Sequence, residues 1–232
     1  MAAAAGSWQS ASSVNPALAA AIDFLVLSAD YWRPYGLAGV DHLDVRVAAG
    51  RSSWSVMAGT ASLGFDRFRE VDVYACGTYR PGRQLAVGLG LHWLLVDQGV
   101  RGIRAAPAVD LGMLWQVGRF RLGAAGRSLN RPDIGSAGLI PPRFLAGFEY
   151  SPVDELILAA DATYCSGSTS AGFGCEFLLI PQLAIRAGVG TAPLRFGGGL
   201  GVRVGPVGLD YAYGFHPQLG ESHHLGVTVA WH

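Results

Sequence analysis

Residues 194–215 read LRFGGGLGVRVGPVGLDYAYGF. Leu194, Phe196, Leu200, Val202 and Val204 share one side of an extended chain, and Arg195, Gly197, Gly199, Gly201 and Arg203 share the other. After the turn signal Gly205-Pro206 the alternation resumes. Val207, Leu209, Tyr211, Tyr213 and Phe215 oppose Asp210, Ala212, Gly214 and His216. A period of two is the signature of a strand with unlike faces. The stretch therefore predicts a β-hairpin with one apolar face and one face that is either charged or bare.

The same parity recurs along the chain. Leu43, Val45 and Val47 oppose Asp44 and Arg46, and Val71, Val73 and Tyr79 oppose Asp72, Thr78 and Arg80. Leu85, Val87, Leu89, Leu91, Trp93 and Leu95 oppose Gly88, Gly90 and His92. Asp110 and Gln116 oppose Leu111, Met113 and Trp115, while Arg119, Arg121 and Arg127 oppose Phe120 and Leu122. Further on, Arg143 and Glu149 oppose Phe144 and Phe148, Asp161 opposes Leu158 and Tyr164, Glu176 opposes Phe173 and Phe177, and Arg186 opposes Ile185 and Val189. Leu225, Val227, Val229 and Trp231 close the series opposite His224, Gly226 and Thr228. The segments number about 14, or 12 if 43–49 and 53–64 are not both strands. Residues 130–142 form the longest predicted loop.

Two explanations compete for a one-sided strand. A soluble sandwich turns a hydrophilic face, rich in lysine, serine and threonine, to water. This chain holds 33 glycines, its 17 basic residues are all arginine, and its mean hydropathy is +0.30. Its glycine concentrates on the non-apolar face, where it signals close approach or curvature. No run of 18 apolar residues is present, which excludes a transmembrane helix but not a barrel whose apolar face meets lipid. The predicted fold is an all-β antiparallel transmembrane barrel, with residues 1–22 an N-terminal plug or periplasmic segment and 23–232 the barrel. The charged face then lines the lumen as Asp44, Arg46, Asp72, Arg80, Asp110, Arg119, Arg121, Arg143, Glu149, Asp161, Glu176, Arg186, Arg195, Arg203 and Asp210, with Asp210 the nearest acid expected for Arg195 and Arg203. Signs nearly balance there, as burial of charge demands.

Equal formal charges, 17 basic and 17 acidic, argue against nucleic-acid binding. Cys76, Cys165 and Cys175 show no metal-ligand spacing, and the opposite parities of Cys165 and Cys175 disfavour a disulfide. Ser222 and His224 share a face near Asp210, yet no strained nucleophile turn surrounds the serine. No catalytic residue, metal or cofactor is therefore predicted, and His92, His216, His223 and His224 read as ordinary polar positions. The start, MAAAAGSWQS, lacks the charged and long apolar regions of an export signal, although an outer-membrane barrel requires one.

The segment GSWQSASSVNPALAAA, with Asn15, Pro16 and Ala17 followed by Leu18, resembles the start of the long-chain fatty-acid transporter family of outer-membrane barrels and its relatives associated with type IX secretion. The alternating end Leu225, Val227, Val229, Trp231 resembles an outer-membrane assembly signal, with His232 one residue beyond the aromatic. The resemblance implies a 14-stranded barrel in the bacterial outer membrane, its N-terminal segment folded into the lumen around Asn15, Pro16 and Ala17. It also implies passive uptake of hydrophobic small molecules. The alternative is a non-transporting structural or accessory subunit of an envelope assembly. Expected partners are outer-membrane lipids, a hydrophobic solute and, in the second case, other envelope proteins. Leu94, Val96, Leu114 and Leu145 are the few apolar residues expected inside.

Overall fold

The computed structural model describes residues 15–65, 68–99, 102–135 and 138–231. Residues 1–14 of the expected plug, and His232, lie outside the described residues. Fourteen antiparallel strands close into one barrel: β1 (Leu25–Arg33), β2 (Asp41–Arg51), β3 (Trp54–Phe65), β4 (Phe68–Tyr79), β5 (Leu85–Asp97), β6 (Ile103–Val117), β7 (Phe120–Arg127), β8 (Arg143–Val153), β9 (Leu156–Cys165), β10 (Ser168–Ile180), β11 (Leu183–Gly190), β12 (Arg195–Val204), β13 (Val207–His216) and β14 (Gly220–Trp231). Each strand pairs with its chain neighbours, and β1 pairs with β14 from Leu25↔Trp231 to Arg33↔His223, so no edge is left open. The count of fourteen includes both segments that were uncertain in sequence.

One parity set faces outward all round. Leu200, Val202, Leu209, Tyr211, Leu225 and Val227 are exposed on the outer wall, alongside Trp54, Val56, Leu91, Trp93, Phe148 and Phe173. Such a continuous apolar belt is unstable in water and stable in lipid. No helix among the described residues is long and apolar enough to cross a membrane. Tight turns at 52–53, 118–119, 154–155, 181–182 and 205–206 share one end with the first and last strand termini, which makes it the periplasmic end. The opposite, extracellular end carries the longer connections 34–40 and 128–142.

Strand ends explain two departures from the sequence reading and the placement of one proline. Arg119 does not line the lumen. It occupies the Gly118–Arg119 turn, where Gly118 has φ +57°, and it meets Asp154 of the next turn at 3.2 Å. Arg80 falls just past β4, at the periplasmic rim, where it pairs with Asp23 and the carbonyl of Ser52. Pro107 stands inside β6 rather than before it. Residues 103–110 of β6 pair with β5 only, because β7 stops short, so a missing N–H costs no ladder bond there. Asn130 covers that free edge, accepting from Val109 N–H at 3.0 Å and donating to the Pro107 carbonyl at 2.7 Å.

Candidate functional site

The lumen is filled from both ends along one side. From the periplasmic end, Asn15–Ile22 lies against β2–β6. Asn15 caps a 3-10 helix, Pro16–Ala21, by accepting from Ala17 N–H at 3.0 Å, and Pro16 takes the first helical turn, where no N–H is needed. Its Nδ2 donates to the carbonyls of Met113 at 3.3 Å and Ala124 at 3.4 Å, and Thr78 Oγ1 donates to the Pro16 carbonyl at 2.7 Å. Three wall glycines make room for it. A Cβ at Gly88 would sit 2.5 Å from Ala17 N, one at Gly112 would collide with Asn15 Oδ1, and one at Gly50 with the Ile22 carbonyl. Leu18, Ala20, Ala86 and Leu114 form one small apolar cluster around the helix, and Ile22, Val26, Ala48, Met57 and Tyr74 form another.

From the extracellular end, the 128–142 loop turns inward. Ile134 is buried against Val96 and Ala106, with Leu94 and Ile140 packed beside them. Sequence reasoning missed this, since a lone isoleucine in a polar loop says nothing about where it lands.

Between these two fillings runs a belt of charge. Arg46 pairs with Asp30 and, at 3.4 Å, with Asp44, whose carboxylate also accepts from Tyr74 Oη at 2.9 Å. His92 bridges Asp72 at 2.9 Å and Asp110 at 3.2 Å, and Asp110 continues to Arg127 at 3.0 Å. Arg121 meets Glu149 at 3.0 Å. Arg186 holds both Glu176 and Asp210. Asp210 thus serves Arg186, two strands away across Gly201, and not its β12 neighbours Arg195 and Arg203. Arg143, Arg195 and Arg203 have no carboxylate within ion-pairing distance among the described residues. Asp161 faces the lumen opposite Gly147 and Gly172.

The side left open lies against β8–β13. Here a cavity of about 580 Å³ reaches the extracellular mouth. Its upper wall carries Arg127, Arg143 and Arg195, its deeper wall Arg186 and Asp161, and its floor is mostly glycine and small residues of β10–β12. Leu145 is its larger apolar side chain on the lumen face. The volume suits one small molecule.

The tempting serine–histidine pair has other work. Ser222 Oγ accepts from Tyr35 N–H at 2.8 Å, and His224 Nε2 lies 3.4 Å from Asp30 Oδ1. His216 Nδ1 accepts from the N–H groups of Gln218 and Leu219, each at 3.1 Å, and His223 Nδ1 lies 2.8 Å from Tyr211 Oη on the outer wall. No cluster of metal-ligating side chains occurs among the described residues. The three cysteines are free, with Cys165 facing inward beside Arg143 and Cys175 facing outward between Leu158 and Ala187.

No protein-family model and no curated protein matches the chain. Solved structures do match in fold. A Pseudomonas aeruginosa FadL homologue superposes with a TM-score of 0.74 at 14% identity, covering 99% of this chain and 96% of the other. The Pseudomonas putida toluene transporter TodX gives 0.69 at 12% identity over 98% and 95%. The Acinetobacter baumannii outer membrane protein Omp33 gives 0.60 at 10% identity over 90% and 98%. The closed fourteen-strand wall and its outward apolar belt give the chain the same fold as the FadL homologue and TodX.

Proposed function

We propose that the protein is a passive uptake barrel of the bacterial outer membrane, admitting small hydrophobic molecules at its extracellular vestibule. The observation that supports this reading is the cavity of about 580 Å³ against β8–β13, away from the side that Asn15–Ile22 and Ile134 occupy. A barrel serving only as a scaffold has no need of that space. The names of the fold neighbours, among them a toluene transporter and a monoaromatic hydrocarbon channel, agree with it. On this reading Asn15, Pro16 and Ala17 anchor a periplasmic plug. The charge belt holds the wall in shape, Leu225, Val227, Val229 and Trp231 serve as the assembly signal, and none of these residues performs catalysis.

The second reading, an accessory barrel with protein partners, draws on the ion pairs that line the lumen wall at Arg46, His92 and Arg186. One experiment separates the two. The full chain and a variant lacking residues 2–22 are reconstituted in planar bilayers, and cells with and without the protein are given a panel of labelled hydrophobic solutes. Uptake predicts slower accumulation without the protein and higher conductance without the segment. Unchanged accumulation across the panel, with near-zero conductance in both forms, overturns uptake in favour of the accessory barrel.

A further inference from the structure

The vestibule has a chemical bias that hydrophobic uptake alone does not call for. Most lumen carboxylates have a cationic neighbour, and two arginines that lack a carboxylate partner among the described residues stand at this mouth. Arg127 shares Asp110 with His92, whereas Arg143 and Arg195 line the same cavity with no carboxylate in reach among the described residues. Arg127 and Arg143 are also direct register partners across β7 and β8. Like charges set opposite one another are unfavourable unless an anion comes between them. A cleft with low-dielectric walls strengthens that field beyond what the same arginines would produce on an open surface.

Shape narrows the choice of anion. Gly188 and Gly197, register partners across β11 and β12, line the cavity, and Gly174 and Gly214 continue the row on the lumen side of β10 and β13 beyond it. With strands about 4.8 Å apart, this row presents bare backbone over about 14 Å. Gly199 extends it on one side, the Arg195 side chain lies over Gly190 on the other, and a Cβ at Gly197 would meet nothing nearer than the Tyr213 carbonyl at 3.3 Å. The shelf carries no side chain at Gly188 and Gly197, while the guanidinium groups stand at its upper border. Thr163 and Ser170, register partners on β9 and β10, put hydroxyls beside it.

We infer that the vestibule binds a flat aromatic anion, its ring face laid on the glycine shelf and its anionic group held by Arg143 and Arg195. A guanidinium meets a carboxylate in two parallel hydrogen bonds, so each arginine supplies direction as well as charge. The inference rests on the uptake reading for its biological sense, but binding is measurable without transport.

The probe is 2-naphthoate, measured by equilibrium dialysis against the full chain in detergent. Comparison ligands are 2-naphthalenemethanol, with the same ring and no charge, and decanoate, with the charge and no flat ring. Naphthoate is expected to bind at least tenfold more tightly than either, and more weakly as salt rises. Arg143→Gln and Arg195→Gln should each weaken it about tenfold. Gly197→Val, which fills the shelf and keeps every charge, should weaken both aromatic probes and leave decanoate unaffected. Arg203→Gln is the control, since it removes an equally unpaired lumen arginine from the other end of β12. Equal binding of the alcohol and the acid, equal binding of decanoate and naphthoate, or an equal loss in Arg203→Gln would each overturn the inference. Circular dichroism of every variant separates lost binding from lost folding, and the Gly197→Val and Arg variants give independent routes if one misfolds. Tight, arginine-dependent binding without uptake would sink the uptake reading alone. Uptake without such binding would sink this inference alone.

Discussion

At the scale of the residue, environment decides what a given side chain is worth. Leu200 sits near the middle of β12 and points into lipid. Leu200→Arg should cost about 2–4 kcal/mol, the range for an arginine at the bilayer midplane. Urea unfolding in lipid vesicles would measure it, and an effect near zero would place that wall in water. Spin labels at 200–203 should likewise alternate between lipid and lumen accessibility. Inside, Asp30 and Asp44 are direct register partners on β1 and β2, and Arg46 lies between them with its side chain 5% exposed. Arg46→Ala leaves two carboxylates facing each other with their cation gone, which should cost about 3–5 kcal/mol. Asp133→Ala, in the extracellular loop, should leave the unfolding midpoint nearly unchanged. Equal midpoints would show the lumen to be wet enough to screen its own charges.

Elements were legible in the sequence to different depths. Strand faces could be read because lipid on one side and a crowded lumen on the other enforce the period of two, broken only near the periplasmic ends of β8 and β10 among the described pairings. Parity gives a face, however, and not a height along the barrel. That is why Asp210 was matched with Arg195 and Arg203 when its level brings it to Arg186, and why Arg80 and Arg119 were counted inside although their strands end first. The vestibule was not legible at all, since it is what remains after the N-terminal helix and the 128–142 loop fill the opposite side. The loop's placement is testable. Ile134 is 4% exposed, held by Val96 and Ala106. Ile134→Asp would bury a carboxylate in an apolar contact, so the loop should swing out instead. The loop is then open to proteinase K, and nicking within residues 128–142 should quicken at least tenfold while the barrel stays folded. Unchanged cleavage would mean that Asn130, bonded to Pro107 and Val109, holds the loop without Ile134.

The whole molecule is stable only as a closed figure. In a sandwich a lost strand exposes one new edge to water, which can hydrogen-bond it. In a membrane each unpaired N–H and C=O faces hydrocarbon and has no such substitute. Closure here rests on β14, which bonds β13 from Val207↔Val229 to His216↔Gly220 and β1 along the whole of Leu25–Arg33. Removing residues 220–231 would strip β13 and β1 of their partners together. The two free edges cannot simply rejoin. A thirteen-strand closure would set β1 parallel to β13, since each of them now runs antiparallel to β14. It would also shift the shear that fixes the levels of the lumen charges. The truncated chain should therefore fail to insert into lipid vesicles, remain accessible to protease throughout, and lose the heat-sensitive gel mobility of a folded barrel. Replacing Leu225, Val227 and Trp231 by serine keeps all the backbone bonds and removes only the lipid-facing side chains. That variant should insert with lower yield but, once inserted, show the same folded mobility. If the truncated chain instead inserts as fully as the intact one, the β1–β14 seam is not what closes the wall, and the stability of the barrel must come from the lumen contacts alone.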